Sequence, residues 1–99
     1  MNVLKKLYDY FPTAIYTGQC LVFISEDWRV ELTEHSNSNY AVSDETIPTI
    51  RVRLFRKAID GGYVPGHYED FRIKEHGELA TQIERYIQYA IGQNIKENA

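Results

Sequence analysis

Three histidines, one cysteine and several adjacent carboxylates are the residues of this chain with types suited to chemistry, and their spacing can be tested first. His35, His67 and His76 stand at no helical or turn interval that would bring two of them to one zinc ion, and His67 and His76 are separated by a whole strand-like segment. No metal site is expected. Cys20 lies in the apolar run TAIYTGQCLVFIS, where a thiol is an inert small hydrophobe with a raised pKa, and as the sole cysteine it has no partner for an intramolecular disulfide. The carboxylate pairs Glu26-Asp27, Asp44-Glu45 and Glu69-Asp70 are neighbours in sequence, so on a strand they point to opposite faces. Asp60-Gly61-Gly62-Tyr63-Val64-Pro65-Gly66 has glycines but neither the Lys-Ser/Thr nor the helix start of a phosphate cradle. The chain is therefore expected not to be an enzyme and to need no cofactor. A small enzyme assembled by folding from His67, Glu69 and Cys20 is the third reading, and it requires those groups to converge.

The segment with most to offer is TIRVRLFRKAI, residues 49–59. At a period of two, Ile50, Val52 and Leu54 fall on one face, and Arg51, Arg53, Phe55 and Lys57 on the other. Trp28 to Glu34 alternates in the same way, with Trp28, Val30 and Leu32 opposed to Arg29, Glu31 and Thr33, so Arg29 can join the cationic face from a neighbouring strand. Arginine beside an aromatic ring is what protein interfaces use as anchors, and what single-stranded nucleic-acid platforms use for stacking and phosphate contact. The plain alternative is a solvated face whose arginines pair with Glu31 and Glu69 across strands. Arg29, Arg51, Arg53, Phe55 and Lys57 are the expected partner-binding residues.

Such a face needs elements to hold it flat. The largest is at the C-terminal end, where HGELATQIERYIQYAIGQNIK (His76 to Lys96) places Leu79, Ile83, Tyr86, Ile87, Ala90 and Ile91 at helical steps of three and four. An amphipathic helix must bury its stripe against another surface, and only a sheet from the middle of the chain is wide enough. At the other end, Val3, Leu4, Leu7, Tyr8 and Phe11 make the apolar side of a short helix that Asn2 can cap and Pro12 stops. Between them, residues 13–25 read as one bulged strand or as two short strands around Thr17-Gly18-Gln19, with turns at residues 25–27 and 60–66 and a final strand from His67 to Ile73. Residues 35–46, polar throughout except for Tyr40, Ala41 and Val42, read as a flexible loop.

The expected architecture is an α+β two-layer sandwich. An antiparallel sheet of three to five strands carries the N-terminal and C-terminal helices on one face, in a single domain over residues 1–99. At 43% hydrophobic and 25% charged residues the chain is ordinary for a globular protein. Its formal charge of -3 argues against an overall electrostatic grip on nucleic acid or an anionic membrane. No apolar run approaches the roughly eighteen residues of a membrane span, the lysines in MNVLKKLYDYF disqualify it as a signal peptide, and the unpaired cysteine suits a reducing setting, so a cytoplasmic location is expected. Tyr89 and Ile95, off the main stripe or past Gly92, suggest a homodimer face on the C-terminal helix.

The helix, strands, helix order is shared by many small accessory domains, including immunity proteins, inhibitors and phage or plasmid accessory factors, a likeness of architecture only. The leading expectation is a module that occupies another protein's surface. The alternative is a nucleic-acid-binding regulator using the same face.

Overall fold

The structure, a computed structural model, describes the backbone of residues 3–42 and 45–98 and the side chains of residues 3–35 and 48–91. The chain runs α1 (Val3–Tyr8), β1 (Ile15–Tyr16), β2 (Cys20–Ile24), β3 (Trp28–Val42), β4 (Glu45–Lys57), β5 (Tyr63–Arg72) and α2 (His76–Asn98). The five strands form one antiparallel meander in the order β1-β2-β3-β4-β5, so each pairs with its sequence neighbour. With two helices outside that sheet, the fold is α+β.

Register fixes the faces. Leu21 pairs with Leu32 and Leu32 with Val52, while Phe23 pairs with Val30 and Val30 with Leu54. Residues opposite one another on paired strands share a face, and these six therefore line one side of the sheet. All but Phe23, which is partly buried and packs against them, join Ile50, the α1 residues Val3, Leu4 and Leu7, and the α2 residues Leu79, Ala80, Ile83 and Ala90 in one buried cluster. Leu7, Leu21, Leu32, Ile50, Leu79 and Ile83 are fully buried, each contributing about 1.5–3 kcal/mol relative to exposure. Both helices thus lean on the face expected from the alternation.

Helix α1, at six residues, is too short to persist without this packing. Its first N–H, that of Val3, donates to the Glu34 carboxylate on β3 at 3.0 Å; Asn2 lies outside the described residues. The helix stops at Tyr8, earlier than the apolar pattern to Phe11 suggests. Asp9, Tyr10 and Phe11 bond back three residues to Lys6, Leu7 and Tyr8, a tightening into 3₁₀ geometry ahead of Pro12. Phe11 stays buried nonetheless, edge-on to Phe23 with centroids 5.4 Å apart.

Of the two readings of residues 13–25, the structure selects two strands. Gly18 supplies φ 94° at the turn, and Thr17 Oγ1 accepts from the backbone N–H of Cys20 at 3.1 Å.

Two segments differ from expectation. Residues 35–46 read as a loop; residues 43 and 44 lie outside the described residues, and on either side of them β3 runs to Val42 and β4 starts at Glu45, with pairs continuing through Asn37 and Ile47 and resuming at Val42 and Glu45 after a register shift. Apolar alternation marks a strand only where one face is buried, whereas a hairpin ladder is held by backbone bonds that need no apolar side chain. Val64-Pro65-Gly66, expected as turn, lies inside β5. Only the preceding Ala58–Gly62 segment turns, with Ala58 N–H donating to Gly62 O at 2.7 Å and Gly61 at φ 91°. Pro65 is tolerated because β5 is an edge strand, and the register shift opposite Arg53 to Phe55 absorbs it.

Helix α2 starts where expected and extends to Asn98. Among the described residues, no helix is long and apolar enough to cross a membrane.

Candidate functional site: the open face of the sheet

The face away from the helices is read directly from the cross-strand pairs. One row runs Ile15, Val22, Glu31, Arg53, Tyr68; the next, toward the β3 N-terminus, runs Ile24, Arg29, Phe55, Pro65; the row on the other side runs Cys20, Thr33, Arg51, Asp70. Lys57 and Arg72 extend it at two corners, opposite Tyr63 and Thr49. Arg29, Arg51, Arg53, Phe55 and Lys57 therefore share one face, as the period of two requires.

Interactions within the face are specific. Arg51 forms a fork onto Asp70, with Nε to Oδ1 at 2.8 Å and Nη2 to Oδ2 at 3.0 Å. Side-chain accessibility is 20% for Arg51 and 4% for Asp70, so this pair is far less screened than an ordinary surface bridge. The Asp70 hydrogen bond raises the Arg51 pKa further above its ordinary value, with burial opposing. Both Arg51 and Arg53 sit over the Tyr68 ring, at 4.1 and 4.8 Å from its centroid. Arg29 bonds Glu31 at 2.8 Å and lies 6.0 Å from the Phe55 centroid. Its Nε is buried without a hydrogen bond among the described residues, which marks a guanidinium pressed down onto the sheet.

Of the two carboxylates expected to pair with the arginines, Glu31 does so, bonding Arg29 along its own strand and not across strands. Glu69, expected to pair with the arginines, alternates to the helix side, and Asp70 takes its place. The Tyr68, Asp70, Arg72 alternation was legible, but which residue faces Arg51 depends on the register shift in β5, which no local pattern announces.

Five cations (Arg29, Arg51, Arg53, Lys57, Arg72) share this face with two carboxylates (Glu31, Asp70) among the residues with described side chains. On a chain of formal charge -3 that is a local reversal of sign. Among the described residues, Arg53 and Lys57 have no carboxylate within ion-pair distance. Ile15 on β1 and Ile24 on β2, 54% and 55% exposed, form an apolar ledge on the same face, next to Arg29 and across β3 from Arg53, and Val22 is buried between neighbours on the same side.

The groups weighed for catalysis do not converge. Cys20 lies on β2 on the open face, with its Sγ 3.3 Å from Thr17 Oγ1, whereas Glu69 alternates to the opposite face of β5, three strands away. No cluster of three histidine, cysteine or acidic residues among the described residues could hold a metal ion. Among the described residues, two clefts adjoin α2. One, of about 280 Å³, is lined by Tyr10, Phe11, Phe23 and Ile87 among others; the second, of about 260 Å³, lies between β5 and α2 and includes His67, Glu69, Tyr86 and Tyr89. Burial, and secondarily Glu69, raises the Tyr86 pKa. Tyr89 is 66% exposed, and the side chain of Ile95 lies outside those described.

No protein-family model matches the chain, and no curated protein or solved structure matches it either.

Proposed function

We propose that this chain is a small cytoplasmic protein-binding module that acts by occupying a surface of another protein through the open face of its sheet, in the manner of an inhibitor, immunity protein or phage or plasmid accessory factor. The observation that carries this reading is the preset state of the cationic face: Arg51 is locked by Asp70 and Arg53 rests on Tyr68, with exposed Ile15 and Ile24 on the same face across β3. Side chains already held by their neighbours lose little rotamer freedom on contact, which favours association. Exposed isoleucines next to arginine and aromatic groups match the composition of protein interfaces.

The nucleic-acid reading uses the same cations but needs free ring faces for stacking. Tyr68 is engaged by two guanidinium groups and Phe55 is half-buried beside a third, which weighs against it.

The test is capture of partners on the immobilised chain beside an Arg53→Glu variant, with mass spectrometry of what each retains. Arg51 is unsuitable for reversal, because Arg51→Glu would set two carboxylates together at the nearly inaccessible Asp70. A protein held by the wild type and released by Arg53→Glu, and then bound as a purified pair, supports the reading. Equal retention by both, or retention of nucleic acid alone, removes it.

A further inference from the structure

Resting on the module reading, we infer that the surface this face receives is an acidic one: a patch of partner carboxylates, flanked by apolar side chains, that meets Arg53 and Lys57 and seats on Ile15, Ile24 and Phe55.

Charge complementarity carries the inference. Carboxylates inside the chain already answer two of the cations, Arg51 through Asp70 and Arg29 through Glu31. Among the described residues the charge still unanswered by a carboxylate stands at Arg53, Lys57 and Arg72: Arg53 and Lys57 are four residues apart with Phe55 between them on the same strand face, and Arg72 lies at the corner opposite Thr49. Arg53 is half-buried and its guanidinium lies on the Tyr68 ring, so its fork is oriented before any partner arrives. A planar guanidinium presented in this way suits bidentate carboxylates. Phosphate would satisfy the same fork, but Ile15 and Ile24 on the same face offer a polyanion nothing, and Arg51 and Arg53 already lie over the Tyr68 ring on which a base would stack. An acidic protein surface with interspersed apolar groups satisfies both halves of the face. The surrounding chain, negative overall, would repel such a partner elsewhere and so help fix its orientation.

The experiment titrates the isotopically labelled full chain at low salt with three probes of similar length: poly-L-glutamate, a glutamate–tyrosine copolymer and oligo-dT, following backbone amide shifts. The expected result is a saturable shift at residues 51, 53, 55 and 57, strongest for the copolymer. Arg53→Glu should weaken it roughly tenfold or more, and added salt should weaken it further. Lys6→Glu on α1, exposed and away from this face, should leave it in place. Because Arg53→Glu faces Glu31 across the strand pair, Arg53→Gln is run beside it, and the amide spectrum of each variant reports whether the fold survives.

Tighter binding of oligo-dT than of either polypeptide at this face overturns the inference in favour of nucleic acid. Shifts scattered over the chain, or none, overturn it as well. Should the acidic probes fail here while partner capture still depends on Arg53, the acidic-partner inference falls and the module reading stands. If capture instead proves indifferent to Arg53, the module reading falls with it.

Discussion

On β3 and β4, residues adjacent in sequence are held by different physics. Leu32 and Val52 face the helices and are wholly removed from water, while Glu31 and Arg53, one position away on each strand, face outward among charges and rings. The helix side is stabilised by area buried, which is non-directional and large in sum. On the open side, directional contacts each contribute little where solvent screens them. The difference separates tasks: one face fixes the fold, and the other is left at liberty to change its contacts without unfolding the sheet.

The strongest way to break this comparison is to truncate matched neighbours. Leu32→Ala should cost about 2–5 kcal/mol in urea denaturation, since it removes a fully buried side chain from between the sheet and its helices. Glu31→Ala, next to it, should cost no more than about 1 kcal/mol, its bridge to Arg29 being partly exposed. Similar losses at the two positions would mean that the faces are not distinct in energetic kind.

Asp70 sharpens the comparison by being the exception. Its side chain is 4% accessible although it lies on the open face, and it accepts two bonds from Arg51. Asp70→Asn keeps the shape but removes the charge opposite a half-buried guanidinium, for an expected loss of about 1–3 kcal/mol by the same measurement. A loss within error would show that the pair is solvated in practice and that Arg51 is as available to a partner as Arg53.

These contrasts also explain what could be read from the sequence. The alternation in Trp28 to Glu34 and residues 49–57 gave the faces correctly, because burying one side of a sheet forces a period of two. The helix stripe from Leu79 to Ile91 was legible for the same reason at a different period. Residues 35–42, 45 and 46 were misread because strand pairing there leaves no hydrophobic signature, and Val64-Pro65-Gly66 because turn residues can also serve an edge strand. The cations of the candidate site were visible individually. Their partners Tyr68 and Asp70 were not, since they depend on a register set by a shift between Arg53 and Phe55.

Arg53 makes the smaller stability claim. Its described contact is the Tyr68 ring at 4.8 Å, so Arg53→Ala should change unfolding free energy by less than about 1 kcal/mol while weakening partner or acidic-probe binding. A destabilisation like that of Leu32→Ala would assign Arg53 to the fold and take it out of the contact surface.

The smallest effect tests how the cover is fixed over the helix side. The Glu75 carboxylate accepts from the N–H groups of Gly77 at 2.9 Å and Glu78 at 2.8 Å, closing the start of α2. Those two bonds, Gly77 first, hold its pKa below the ordinary glutamate value, with the charge of His76 a lesser cause. Because the folded pKa is depressed, the cap's contribution is present above the unfolded value of about 4.3 and is lost as pH falls through the lower folded value. Paired unfolding curves of the wild type and Glu75→Gln should therefore be separated by a constant interval at neutral pH. The interval should narrow once pH drops below about 5 and close when Glu75 is protonated in the folded chain. An interval that stays open in acid would mean that the shape of the side chain, and not its charge, holds the start of α2; one absent at neutral pH would mean that packing of Leu79 and Ile83 alone seats the helix on the sheet.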